Sequence, residues 1–364
     1  MICSIAHQCG GCTDFHAPQI ERITRKRKPV LDFLRACNIQ IPVPILHVGE
    51  EGIRDKVDLQ FQSGEWGFFT SHKRVVPTKR CPKSAPLIND FLMQLWDNPM
   101  PIQRASVRLR RAPDNTLGIW IDAANLDILA LLKEQRWLRW LHKNAIVEIG
   151  QRHKRLILKE DSLKLQKKKV LYPWFETTLP SGQRTPLFTT IAGFTQPSIQ
   201  INRTLVEETV ALLQRSDARI WLEYGSGAGN FSFPLSQIAQ KVYLSESNPT
   251  AKRGLERGFR TLSQYAPFTI LSENLNRAEA PIYGDVEGII LDPPRSGANQ
   301  FMDNIVRWPN VRDIVYVSCS FESLKADLSI LLSHHFSLCS IKGIDQFPRS
   351  HHCEWVVYLR KSFD

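Results

Sequence analysis

From about Phe194 to the C-terminus, short apolar strands alternate with stretches of helical periodicity, and this alternation limits the fold more than any other feature of the chain. Helices are expected at 197–214, 231–240, 249–263, 300–308 and 321–332. Strands are expected at 219–223, 242–246, 268–271, 288–291 and 313–318, with two terminal strands near 336–341 and 355–359. Repeated strand–helix units bury a sheet by laying helices on both its faces, so the expectation is a doubly wound α/β sheet closed by an antiparallel pair. No internal repeat is visible.

The first half follows another pattern. A basic helix is expected from Pro18 to Cys37, carrying Arg25-Lys26-Arg27-Lys28. Extended candidates at Lys56–Gln62, Trp66–Thr70, Ser106–Arg111, Gly118–Asp122 and Ala145–Gly150 are short and rich in β-branched and aromatic residues. Turn signals separate them, as in an antiparallel meander. Asn125–Arg139 has helical spacing. The Pro/Gly/Thr-rich stretch Leu179–Gly193 is the expected boundary, giving domains 1–190 and 191–364.

Charge divides along the same line. Residues 1–190 hold 30 Lys and Arg against 18 Asp and Glu, whereas 191–364 hold 17 against 18. A basic half beside a neutral one points to capture of a polyanion, with nucleic acid the leading partner, by one domain and chemistry in the other. Basic clusters at Arg152–Arg155 and Lys167–Lys169, with Tyr172 and Trp174 just after, suit phosphate contact and base stacking. No apolar run approaches the roughly 18 residues of a membrane span. The N-terminus lacks the basic-then-apolar order of a secretory signal. A cytoplasmic protein without a membrane partner is the expectation, and its eight cysteines are then thiols, metal ligands or catalytic groups rather than disulfides.

Five constellations carry chemistry. Glu223-Tyr224-Gly225-Ser226-Gly227-Ala228-Gly229-Asn230 lies between a strand and a helix, where glycines let a ligand approach the backbone closely. Glu246, ending the next strand, is placed to accept both hydroxyls of a ribose. Together they read as a nucleoside-cofactor site. No Gly-Lys-Ser/Thr follows, which excludes a P-loop, while a dinucleotide stays open. Asp292-Pro293-Pro294-Arg295-Ser296-Gly297 ends the fourth strand and faces the same crevice. Cys319, in Tyr316-Val317-Ser318-Cys319-Ser320, stands at the mouth of the fifth strand in a nucleophile's position. Phe347-Pro348-Arg349-Ser350-His351-His352-Cys353-Glu354 supplies a carboxylate and two imidazoles before the last strand. Finally, Cys3, Cys9 and Cys12 with the distant Cys81 form a set suited to an iron–sulfur cluster or to tetrahedral zinc. Cys37, Cys339 and Cys353 read as packing residues.

In this order the motifs resemble those of the RNA 5-methyluridine methyltransferases, and most closely the bacterial 23S rRNA (uracil-5-)-methyltransferases that carry a [4Fe–4S] cluster. The resemblance rests on the N-terminal cysteines, Lys56-Val57-Asp58, Phe194-Thr195-Gln196-Pro197, Gly229-Asn230-Phe231-Ser232, Asp292–Gly297, Val317-Ser318-Cys319 and Phe347–Glu354. It implies a class I S-adenosylmethionine-dependent fold behind an N-terminal strand-rich domain that binds an iron–sulfur cluster and RNA. It implies that Gln196, Gly225, Gly227, Asn230, Glu246 and Asp292 surround S-adenosylmethionine and the target base. Cys319 would then be the nucleophile, Glu354 the base, and Cys3, Cys9, Cys12 and Cys81 the cluster ligands. Where the family commonly has aromatic-Cys-Gly, this chain has Gly225-Ser226-Gly227. Ser320-Phe321 follow the nucleophile where Asn-x-Pro is usual, Ser350 replaces a common Thr, and the RNA-binding module found ahead of the cysteines in some members is not expected here.

The chemistry has its own logic. Uracil C5 is a poor nucleophile until a thiolate adds to C6, and a base must later remove the C5 proton so that the thiol can leave. Asp292 or Gln196 is suited to hold the uracil edge. The target has to leave its stack to reach such a site. An RNA cytosine-5 methyltransferase also uses a cysteine on the fifth strand, but carries a second one where this chain has Pro294-Arg295. The same motifs are compatible with a tRNA substrate and, less readily, with an inactive RNA-binding protein of the same fold.

Overall fold

The computed structural model describes residues 3–70, 74–123, 127–151, 154–159, 162–165, 170–272, 274–277, 281–298 and 300–361. Along the chain come α1 (Gln19–Ala36), β1 (Ile45–Leu46), β2 (Lys56–Gln62), β3 (Glu65–Phe69), β4 (Val75–Pro77), α2 (Pro86–Asp97), β5 (Arg104–Arg111) and β6 (Leu117–Asp122). Next are α3 (Ile128–Lys133), α4 (Gln135–Asn144), β7 (Ile146–Gln151), β8 (Lys154–Lys159), β9 (Ser162–Leu165), β10 (Tyr172–Thr178) and β11 (Arg184–Thr189). The remainder is α5 (Ile199–Leu213), β12 (Ile220–Tyr224), α6 (Ser232–Ser236), β13 (Lys241–Ser245), α7 (Pro249–Phe259) and β14 (Phe268–Leu271). It ends with β15 (Gly288–Leu291), α8 (Gln300–Ile305), β16 (Asp313–Ser318), α9 (Phe321–Ser333), β17 (Phe336–Ile344) and β18 (Glu354–Lys361).

These elements form two compact units: Met1–Phe15, Gly49–Phe175 and Phe188–Ile199 in the first, His16–Val48, Glu176–Leu187 and Gln200–Asp364 in the second. The division is interleaved, where the sequence suggested a single cut at 190/191. Apolar spacing along α1 explains one part of the difference. Val30, Phe33 and Leu34, with Val43 beyond them, are buried in the same core as Leu222, Ile289 and Val357, so 16–48 belong to the second unit.

The first unit is built on an eight-stranded sheet in the order β4-β3-β2-β5-β6-β7-β8-β9. Its pairs are antiparallel apart from β6 with β7. Alternate residues of β2 and β5 (Val57, Leu59, Phe61; Ala105, Val107, Leu109) enter a core closed by α2 and α4. Three expectations need correction or detail. The helix sought at 125–139 is two helices, broken at Glu134, with its start outside the described residues. The stretch Leu179–Gly193, expected to hold the boundary, contains one unit boundary at Leu187/Phe188 but also regular structure: β10 and β11 form a hairpin whose turn is closed by Leu179 N–H on Gln183 O, 2.8 Å. Trp174 offers no stacking surface, since it is 1% exposed and its ring lies where a Cβ on Gly118 would stand 2.4 Å away. Arg152 and Lys167–Lys169 lie outside the described residues.

The second unit carries the doubly wound sheet, in the order β1-β17-β18-β16-β15-β12-β13-β14. Strands β12 to β16 are mutually parallel and β18 runs antiparallel between β16 and β17. This is the class I S-adenosylmethionine-dependent methyltransferase arrangement. Among the described residues no helix is long and apolar enough to cross a membrane.

Candidate active site

Register brings the candidate residues together. Tyr224 of β12 pairs with Ser245 of β13 and Leu291 of β15, so the next residues, Gly225, Glu246 and Asp292, share the carboxyl edge of the sheet, where ligands bind in such folds. Antiparallel pairing of Ser318 with Trp355 makes Cys319 and Glu354 neighbours at that same edge. Residues distant in sequence meet because β12, β13, β15 and β16 end, and β18 begins, on one line.

The glycine turn is shaped by close approach. Gly225 has φ +86° and a Cβ there would stand 2.4 Å from the carbonyl oxygen of Asp292, leaving space only for hydrogen. Gly227 (φ +56°) has room around it, but its N–H donates to Glu246 Oε2 at 2.8 Å. Asn248 N–H holds the other oxygen of Glu246 at 2.6 Å. Each carboxylate oxygen keeps lone pairs for hydroxyl donors. Ser226 is buried and gives its hydroxyl to Ser245 O at 3.2 Å.

Asn230, expected to contact the cofactor, is also engaged within the protein. Its amide forms a reciprocal pair with Asn202 of α5, each donating to the other at 2.9 Å, while Thr177 Oγ1 donates to its carbonyl at 2.6 Å. It locks the exit of the glycine turn. Gln196 is buried in the first unit.

Electrostatics mark this edge as a place where negative charge is expensive. Burial, with Glu246 nearby, pushes the Asp292 carboxyl up to about 7. Burial pushes Glu223 up to about 8 against the pull of the Ser232 hydroxyl, with Asp292 and Glu246 adding to the rise. Glu223 is 0% exposed and its Oε1 has no hydrogen-bond partner among the described residues. Glu354 is held well above the ordinary carboxylate range by burial and then by Asp292, with Arg295 opposing. Gln346 Nε2 donates to Glu354 Oε2 at 3.1 Å. The half-buried Cys319 thiol is raised by burial and by Glu354 and Asp292, while Arg295 favours its thiolate. Glu223 and Arg295 stand inside the quoted motifs, but the sequence reading gave neither of them a chemical role at the site.

An orphaned buried carboxylate oxygen, a glycine turn tight against the next strand and an oriented acid after it fit a cationic nucleoside cofactor. Glu246 would take the ribose hydroxyls, and Gly225, Gly227 and Asp292 would line the remainder.

Comparison with known proteins gives the family. An uncharacterized RNA methyltransferase of Bdellovibrio bacteriovorus is 30% identical over 99% of this chain and 95% of its own length. A 23S rRNA (uracil(1939)-C(5))-methyltransferase of Vibrio campbellii is 26% identical over 99% of this chain and 82% of its own. Residues 281–362 match the tRNA (uracil-5-)-methyltransferase family. The chain belongs to the RNA 5-methyluridine methyltransferases. The solved tRNA (uracil-54, C5)-methyltransferase of Pyrococcus abyssi, in complex with S-adenosyl-L-homocysteine, shares the fold, with a TM-score of 0.70 at 20% identity over 97% of this chain and 86% of that one. In this 5-methyluridine methyltransferase the matched segment 281–362 contains Asp292, Arg295, Cys319 and Glu354.

The N-terminal cysteines lie in the first unit. Cys3 and Cys9 are raised by burial, and each also feels Cys12 and Cys81, so the four thiols are electrostatic neighbours. Lys83 Nζ donates to Cys12 Sγ at 3.5 Å. Among the described residues no group of three or more His, Cys, Asp or Glu side chains converges closely enough to hold a metal ion.

Proposed function

We propose that this protein methylates uridine C5 in RNA, through a covalent bond between Cys319 and uracil C6, and that 23S rRNA is the substrate. The observation that carries the mechanism is the register that makes Cys319 and Glu354 neighbours beyond the ends of β16 and β18. The rRNA assignment is supported by the relatives so named that cover 99% of this chain; a tRNA substrate is the second reading.

S-adenosylmethionine, when bound, supplies an electrophilic methyl group. Arg295 favours the thiolate of Cys319, whose sulfur adds to C6 and raises electron density at C5. C5 takes the methyl group. Glu354, as a carboxylate, then removes the C5 proton; the C5–C6 double bond re-forms and the C6–S bond breaks, returning the thiolate. Asp292 is the candidate to hold the uracil edge, and being raised to about 7 it has access to a protonated form that donates to a carbonyl oxygen. Gln196 is the second candidate.

Mass mapping of 5-methyluridine in ribosomal and transfer RNA, from cells with and without the protein, tests the activity. Loss at a 23S site supports the proposal, loss confined to tRNA moves the substrate, and no loss at all rejects it. For Cys3, Cys9, Cys12 and Cys81 the proposal is a [4Fe–4S] cluster, with zinc as rival. Anaerobically purified protein with about four irons and four sulfides supports it, and colourless protein with stoichiometric zinc rejects it.

A further inference from the structure

Lys26 lies on α1, far from the motifs in sequence, yet its side chain is 1% exposed and its ammonium is shared between the Asp345 carboxylate and the Phe347 carbonyl, the latter at 3.1 Å. Asp345 is also 1% exposed, and its other oxygen accepts from His47 Nδ1 at 2.8 Å. The backbone is tied down as well: Gly343 N–H reaches Pro44 O and Asp345 N–H reaches Leu46 O, each at 2.8 Å, extending the parallel pairing of β1 with β17.

The residue between these anchors is Gln346. Its backbone is fixed on one side by Asp345 and on the other by Phe347, and its side-chain amide donates to Glu354. Past Phe347 the loop winds on itself, with Ser350 Oγ donating to the Phe347 carbonyl at 2.8 Å, and returns to Glu354 at the start of β18. Both approaches to the carboxylate therefore run through one peptide, and Lys26 and His47 clamp that peptide. Burying a lone ammonium is costly unless a partner meets it, and a surface lysine would not need this arrangement.

We propose that Lys26, through Asp345 and the Phe347 carbonyl, is a positioning residue that sets Gln346 and the loop against Glu354, so that segment 16–48 acts as a brace for the base-bearing loop. This rests on Glu354 being the base that resolves the RNA adduct. The brace acts after methyl transfer, on the proton-removal step, because its contacts lead to Glu354.

The test uses the full-length protein, S-adenosylmethionine and total ribosomal RNA from a strain lacking the protein. Lys26→Met is expected to lower turnover at least tenfold, to keep the KM for S-adenosylmethionine within about threefold, and to accumulate a denaturant-resistant, gel-shifted RNA adduct. Lys26→Met/Asp345→Asn removes the uncompensated charge; its melting temperature should recover while turnover stays low and the adduct persists. Recovery of full turnover in the double variant, or loss of turnover without adduct, overturns the proposal. Glu354→Gln in the same assay separates the two levels. If Glu354→Gln traps adduct and Lys26→Met does not, the brace fails alone. If Glu354→Gln traps none, the base assignment fails and the brace with it.

Discussion

Cys319 has to be a thiolate to attack, and Glu354 has to be a carboxylate to take a proton. Burial raises both groups, so lowering the pH protonates each and removes activity. The single-turnover rate should rise by about tenfold per pH unit on the acid side of the thiol's value, continuing above the range of an ordinary histidine-dependent enzyme. Arg295 opposes the rise at Cys319. Arg295→Ala should therefore move the whole limb to higher pH, which a pH–rate profile reads directly; an unmoved limb would remove Arg295 from thiol activation. Cys319→Ala should abolish turnover and leave S-adenosylmethionine affinity within about threefold, measured by calorimetry. Cys319, Asp292 and Glu354 were visible in sequence because each stands at the end or start of a strand beside turn chemistry. Glu223 stood in the quoted glycine motif but received no role, since every residue from Trp221 to Tyr224 is buried and no alternation marks which face it takes. The Asn202–Asn230 pair was hidden for another reason: it joins residues 28 apart, and no local pattern signals a pairing at that separation.

At the scale of elements, the site depends on how tightly β12 and β15 finish side by side. Gly225→Ala would force a side chain into the Asp292 carbonyl at a positive φ. Something must shift, and strain of this kind costs about 1–3 kcal/mol. The expected result is a lower melting temperature together with at least a tenfold weaker S-adenosylmethionine complex, read by thermal denaturation and calorimetry. A variant with native affinity would show that the turn has no part in holding the cofactor. The parallel strands were the most legible elements: 268–271, 288–291 and 313–318 are found with the bounds their apolar runs suggested. The strands 288–291 and 313–318 are buried throughout and leave little room for polar residues, so their ends are sharp; 268–271 is the partly exposed edge strand of the sheet. Helix α2 was missed because its start, Ala85-Pro86, has no side-chain cap to announce it. The β10–β11 hairpin was not read from the sequence, because the Pro, Gly and Thr residues that signal a boundary also build a turn. Only pairing distinguishes the two, and pairing is not local.

For the molecule as a whole, the second unit gathers Glu223, Asp292 and Glu354 at one sheet edge, each raised by burial. The folded chain then binds protons that the unfolded chain has already released. Their contribution is fully present below the ordinary carboxylate range and is lost as pH climbs through about 7 for Asp292 and about 8 for Glu223. Stability without cofactor should consequently fall between pH 5 and pH 8, by about 2–4 °C in melting temperature for each kcal/mol lost, and Asp292→Asn should flatten the decline. Cofactor charge enters the same balance. S-adenosylmethionine carries one more positive charge than its demethylated product, so it favours ionised carboxylates that the product does not. The melting-temperature gain from S-adenosylmethionine over that from S-adenosylhomocysteine should widen as the pH rises. Parallel gains at every pH would mean that these carboxyls do not face the sulfonium, and the assignment of Asp292 to the cofactor site would have to be withdrawn.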